Sequence, residues 1–222
     1  MESDTVTTVV IISSGIKAKA LTHYLVEFSL VASPKVMLEN IKSVAVSMRT
    51  VTEWSAHDLL DRELGLGVSS FKFVDIQSIP ERFRLLIEGE VDVAILPEPW
   101  ATVALKRGGK LLAKKFTECC MDLFSSEILS KEVAKSFLYA IREALKAIRN
   151  NPEQYLRLLL EETSLPPEAL DSKVFSLFFR DDYVRIVFPR DLFDNIADWA
   201  ERRGYVKTKP RYDDVFYSWI DS

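Results

Sequence analysis

Four polar residues crowd one short run. Ser47, Arg49, Thr50 and Thr52 all lie within Ser47-Met48-Arg49-Thr50-Val51-Thr52. The run joins an alternating apolar segment, 41–46, to a segment with helical spacing, 52–64. A helix amino end offers free N–H groups and a positive dipole, and a guanidinium adds a charged fork. The set therefore suits a sulfonate, phosphate or carboxylate. Simple capping of the helix by Thr50 or Thr52 carries more weight, because Ser and Thr caps are common. Glu98 and Trp100 form a second candidate, in Pro97-Glu98-Pro99-Trp100 after the apolar run 91–96. Ligands in open α/β sheets gather just past the carboxyl ends of strands, and an indole can stack on a ring or close a cleft. A stiff hinge turn with Trp100 packed under it is an equal reading, and the prolines favour it. Ser13 and Ser14, with Gly15, follow the run TTVVII. They make a cleft wall or, more simply, a turn.

Other chemistries find less support. His23 sits in an apolar stretch and reads as a hydrogen-bonded core histidine; His57 falls inside the 52–64 helix beside Asp58 and reads as solvated. Cys119 and Cys120 are adjacent. Their Cα atoms stand ~3.8 Å apart, under the ~4.4 Å at which disulfides begin, so they read as reduced thiols. Two His and two Cys without zinc spacing support no metal site, and no cofactor motif is present. No G-x-S-x-G, phosphate-binding loop or H-E-x-x-H occurs. The pairs Asp181-Asp182 and Asp213-Asp214 read as solvated charge, since chain neighbours seldom share a face. The aromatic tail (Tyr205, Tyr212, Phe216, Tyr217, Trp219) packs on the body or serves an interface.

These residues sit in a chain of 222 residues, long enough for one large domain or two small lobes. With 48% hydrophobic and 28% charged residues the chain is globular, not disordered. A net charge of −4 argues against a nucleic-acid partner bound through a basic field. The longest apolar runs, 9–12 and 156–160, fall far short of the ~18 residues a membrane span needs. The start, Met1-Glu2-Ser3-Asp4, lacks the basic end of a secretory signal. As it stands the sequence reads as cytoplasmic, and as extracytoplasmic if more chain precedes it.

The elements follow from periodicity and punctuation. Strands are expected at 7–12, within 21–31, and at 41–46, 71–76 and 91–96. Helices are expected at 52–64, 80–88, 101–107, 131–150, 153–162, from 166 and at 190–203, with 183–188 a strand or an extended connection. The alternation from 41 to 113 predicts a parallel sheet with right-handed crossovers. The fold class is α/β, two-lobed, with mostly parallel sheets flanked by helices. Residues 1–40 and 116–222 form a discontinuous first lobe and 41–115 the second.

The segment Glu88-Gly89-Glu90-Val91-Asp92-Val93-Ala94-Ile95-Leu96-Pro97-Glu98-Pro99-Trp100 resembles the "G-x-V-D-A … E-P-W" signature of type II periplasmic solute-binding proteins. The branch it is most similar to is the nitrate/sulfonate/taurine and thiamine-precursor group. Residues 41–66 resemble that family's strand, Ser/Thr turn and helix opening the second lobe. Residues 124–151 resemble the helix returning to the first lobe, and Arg203-Gly204-Tyr205-Val206 the terminal element before the tail. The likeness runs from about residue 5 to 218, and the order of the motifs is its most specific feature. Family members carry roughly 80–90 further residues at the amino end, so the resemblance implies a reduced first lobe here.

The resemblance implies a binding protein for a small solute, with an anion among the options, like the substrate-binding components of ABC transporters. An ABC permease is then a partner only if the protein is exported. An enzyme on the same scaffold, of menaquinone or thiamine-precursor type, is one alternative. A degenerate ligand-sensing module is the other, and a shortened first lobe invites a homo-dimer.

Overall fold

The computed structural model describes residues 1–163, 165–170 and 183–217. Trp219 and the pair Asp181-Asp182 lie outside the described residues. Two compact units emerge. Unit 1 takes the described residues of Met1–Leu25, Glu118–Arg157 and Phe178–Ser222; unit 2 takes those of Val26–Thr117 and Leu158–Leu177. The strands β2 (Ala18–Ala32) and β6 (Lys110–Ser125) each contribute to both.

Unit 2 is built on three parallel strands, β3 (Ser43–Val46), β4 (Lys72–Asp75) and β5 (Val93–Pro97). The order is β2-β5-β3-β4, with β3 parallel to β4 and to β5. The second half of β2 runs antiparallel to β5, pairing Phe28 with Pro97 and Ala32 with Val93. The sheet is thus mixed: its centre has the expected parallel strands, and β2 enters from the other direction. Val44, Ala45, Val46, Val93, Ala94, Ile95 and Leu96 are fully buried. Such continuous apolar runs are what a strand covered on both faces requires.

Helix α2 (Val51–Asp58) follows β3, α3 (Ile79–Glu88) follows β4, and α4 (Trp100–Lys106) follows β5. A wider π-helical turn, Leu59–Glu63, extends α2, so the expected 52–64 helix is regular only in its first part. Ser78 caps α3 by accepting the Glu81 N–H, and Gly89 closes it in the left-handed conformation at φ 76°. Phe83 and Leu86 of α3 pack with Trp100, Val103 and Ala104 of α4 over the sheet. Asp92 fixes the start of the sheet by accepting the Lys42 and Ser43 N–H groups and the Ser43 hydroxyl, each at 2.9 Å. Gly109 follows α4 where a Cβ would stand 2.8 Å from the Ala104 carbonyl oxygen and from a Val31 methyl.

Unit 1 holds the strand order β1-β6-β2, where β1 is Glu2–Ser3, and β7 (Val184–Arg185) pairs with β2 on its own. Its helices are α1 (Thr5–Ser13), α5 (Lys131–Asn150), α6 (Pro152–Thr163, whose end passes into unit 2), α7 (Arg190–Arg202) and α8 (Tyr212–Val215). Helix α1 corrects the strand expected at 7–12. Asp4 accepts the Val6 and Thr7 N–H groups as an N-cap, and Thr5, Val6, Thr8 and Val9 are buried with helical spacing. Eight β-branched residues in the helix lower its propensity by only a few tenths of a kcal/mol each. Burying Val6 and Val9 outweighs that, at about 1.5–3 kcal/mol per side chain. The tail packs inward: Phe216 stacks on Phe188 at 5.2 Å, and the Tyr212 hydroxyl donates to the Phe188 carbonyl at 2.7 Å. β6 was not anticipated by periodicity, because its first half alternates weakly and its second half is buried.

Two substitutions check this account. Asp4→Ala removes both cap acceptors and should cost about 1 kcal/mol. Gly109→Ala forces a methyl against backbone and should cost about 1–3 kcal/mol. Urea denaturation midpoints at constant slope measure both; an unchanged midpoint refutes the corresponding contact.

Candidate functional site

The carboxyl ends of β3, β4 and β5 all finish on one edge of unit 2, because the three strands are parallel. Ser47 leaves β3, Asp75 ends β4 and Glu98 follows β5. The chain after β3 folds back on itself. The Thr50 hydroxyl accepts the Thr52 N–H at 3.2 Å as the cap of α2 and donates to the Ser47 carbonyl at 2.7 Å. Thr52 is buried, and its hydroxyl accepts the Ser47 N–H at 3.1 Å. Of the two residues proposed as caps, Thr50 is the cap and Thr52 is inside the helix.

Two more amides of this turn have carboxylate acceptors. Asp75 Oδ1 accepts the Met48 N–H at 2.9 Å, and Glu53 Oε2 accepts the Arg49 N–H at 2.7 Å. Gln77 Nε2 donates to the same Asp75 oxygen at 2.6 Å, and the Ser47 hydroxyl donates to Gln77 Oε1. Arg49 adopts φ 62°, which is uncommon outside glycine, and its side chain is exposed. The positive end of α2 is therefore answered by the chain's own carboxylates.

Glu98 is half-buried between its prolines, and the Glu98–Pro99 peptide is cis. Its carboxylate accepts the Thr102 N–H at 3.2 Å and the Thr102 hydroxyl at 3.1 Å, the first turn of α4. Burial pushes its pKa up, as does the charge of Glu27, while the Thr102 bonds and Lys114 pull it down; the net shift is upward. Lys114 pairs with Glu27 at 2.8 Å. Trp100 is 7% exposed and lies against Phe83 at 5.0 Å, inside the core of unit 2. The packed reading of Trp100 is what the coordinates display, and no face of the indole is open for stacking.

Ser13 and Ser14 belong to unit 1. They end and cap α1, and their hydroxyls donate back to the Val10 and Ile11 carbonyls. The expectation of a loop after a strand is corrected with α1 itself. His23 meets the core expectation: it is buried, 3.1 Å from Glu118 Oε2, with Phe188 edge-on. His57 departs from the solvated expectation. Helix α2 is buried from Val51 to His57, and the His57 ring lies 4.5 Å from that of Phe73. Cys119 and Cys120 are free thiols, with sulfurs 3.3 Å apart. Among the described residues no cluster of three His, Cys, Asp or Glu side chains could hold a metal ion, and no helix is long and apolar enough to cross a membrane.

Three residues of this edge escaped the sequence reading. Asp75 and Gln77 carried a faint signal, a polar i, i+2 pair at a strand end. Arg82 carried a clearer one. The face of α3 that holds Ile79, Phe83 and Leu86 also holds Arg82, a charge at an inward position.

No protein-family model matches the sequence, and no curated protein matches it. Solved structures do. The periplasmic aliphatic sulphonate binding protein SsuA from Escherichia coli superimposes with a TM-score of 0.72 at 16% identity, over 97% of this chain and 78% of that one. An ABC transporter protein from Parabacteroides distasonis gives 0.71 at 14%, over 98% and 80%. The alkanesulfonate-binding protein SsuA from Xanthomonas axonopodis pv. citri, bound to MOPS, gives 0.67 at 16%, over 97% and 77%. At these identities the likeness establishes the fold, which is that of the periplasmic binding proteins.

The raised pKa of Glu98 makes a pH prediction. An acid whose folded pKa is raised binds more protons folded than unfolded, so stability falls as pH rises from the unfolded pKa through the folded one. Glu98→Gln removes that loss, and the Thr102 hydroxyl can turn to accept from the new amide. The stability difference, variant minus wild type, should therefore be more positive at pH 7 than at pH 4 in urea titrations. An equal difference at both pH values would refute the desolvated carboxylate.

Proposed function

We propose that the chain is a small-molecule solute-binding protein, and that the carboxyl edge of β3, β4 and β5 is the part of its ligand site supplied by unit 2. The observation that carries this reading is the concentration of polar side chains on that edge, Ser47, Arg49, Thr50, Gln77 and Glu98, where parallel strands expose their ends. The fold it shares with sulfonate-binding and ABC-transporter proteins supports the same reading. A bound solute meets hydroxyls and an amide that can donate or accept, with Arg49 and Glu98 offering opposite charges at the two ends. Ser13 and Ser14 remain candidates of the same proposal from unit 1. Trp100 supports the site from beneath, by holding α4 to α3. No nucleophile and base are paired on this edge among the described residues, so the proposed action is binding without bond-making. A transporter permease enters as partner if the protein is exported.

Thermal unfolding against alkanesulfonates, carboxylates, phosphates and uncharged polar amides tests the proposal. At least one class should raise Tm, because a ligand that binds only the folded state stabilises it by mass action. Ser47→Ala and Glu98→Gln should reduce that rise. No response to any class at millimolar concentration would sink the proposal.

A further inference from the structure

Arg82 is the most unusual charge in unit 2. It sits in the first turn of α3, one turn past the Ser78 cap, and is 1% exposed. Nε and Nη1 are buried and have no hydrogen-bond partner, and no ion pair reaches the guanidinium among the described residues. Burial pulls its pKa down to about 10, and the nearby Asp75 carboxylate pushes it back up. Asp75 itself is turned to other work, accepting from Met48 and Gln77. A buried guanidinium without a partner is strongly disfavoured, and the protein offers it only a distant field.

The anion expected at the α2 amino end, by contrast, would meet a turn whose Met48 and Arg49 N–H groups are already taken. Glu53 and Asp75 already accept there, and a third anion would compete with both. The unanswered positive charge at this edge lies one strand over, under α3, which follows the residue that ends β4. The position adds to it: Arg82 stands within the first turn of α3, where the dipole also favours an anion. Because α3 begins just after β4, its first turn, with Arg82, stands at the same edge as Asp75.

We propose that Arg82 is the anion-recognising residue of the solute site, pairing with an oxyanion group (sulfonate, carboxylate or phosphate) carried by the bound molecule. This rests on the solute-binding reading above and specifies its ligand class. The guanidinium gives charge-assisted hydrogen bonds from donors that the folded chain leaves unused. Arg49, exposed at the mouth of the same edge, steers the anion inward and contributes less once it is seated.

The test uses methanesulfonate and dimethyl sulfone, which are close in size and differ in charge, with acetate and inorganic phosphate as further oxyanions. Wild type should show a Tm rise with methanesulfonate and none with the sulfone. Arg82→Met keeps the volume and removes an unpaired buried charge, so its Tm without ligand should equal or exceed that of wild type. Its affinity for methanesulfonate should fall roughly 10–100-fold, the loss of one or two charge-assisted bonds. Arg82→Lys, which keeps the charge, should retain a weakened response. The response of acetate against phosphate ranks planar and tetrahedral anions. A methanesulfonate response that persists unchanged in Arg82→Met overturns the assignment. So does a large fall in Tm of that variant with no ligand present, which would mean the guanidinium serves the fold. A rise with an uncharged amide in both proteins, and none with any oxyanion, overturns Arg82 while leaving solute binding intact. Silence from every compound removes both.

Discussion

One carboxylate holds the working edge of unit 2 in shape. Asp75 Oδ1 accepts from the Met48 backbone and from the Gln77 side chain, which in turn receives the Ser47 hydroxyl. The end of β4 is thereby fastened to the turn that leaves β3. Glu53, fully buried, does the same one residue later by accepting the Arg49 N–H. These two acids satisfy donors of the turn that leads into α2. They also hold Arg49 in a left-handed conformation that costs on the order of 1–2 kcal/mol for a side-chain-bearing residue. Charge-assisted bonds to backbone N–H groups are strong enough to offset that. The turn from Ser47 to Arg49 is thus held by the chain's own side chains.

Burial then sets the electrostatics of those side chains in opposite senses. Glu98 is held above the ordinary carboxylate range by desolvation, and Arg82 is held below the ordinary guanidinium range by the same cause. Lys114 and Glu27 pair with each other close to Glu98, so Lys114 relieves it only in part. Each group is drawn toward neutrality by its surroundings, and each gains most from an incoming partner of opposite charge.

The chain from 41 to 107 was legible because three signals agree there. Apolar runs of strand length alternate with amphipathic helices, and Ser78, Gly89 and Gly108 punctuate them. A threonine cap on α2 was legible for the same reason, though between Thr50 and Thr52 only the structure decides, for Thr50. The first helix was not. In TVTTVVIIS the β-branched residues speak for a strand, and only Asp4, whose capping geometry needs the fold to reveal it, speaks for a helix. His57 was misjudged because its neighbour Asp58 is charged, while the burial of α2 is decided by the sheet beneath it. β6 was missed because Lys114 and Lys115 look solvent-facing, whereas they pair with Glu27 and Asp58. In each case the contact that decides the outcome is distant in sequence.

Arg82 shows where local pattern and local energetics part. A helix face of Ile79, Arg82, Phe83 and Leu86 would be more stable with methionine or leucine at the second place, since an apolar side chain of that volume needs no partner. Satisfying the charge internally would require a carboxylate within ion-pairing reach. Asp75, whose charge acts on Arg82, has its Oδ1 held by the Met48 amide and the Gln77 side chain, and no ion pair joins it to the guanidinium among the described residues. A ligand oxyanion would supply that partner and leave the β3–α2 turn as it is.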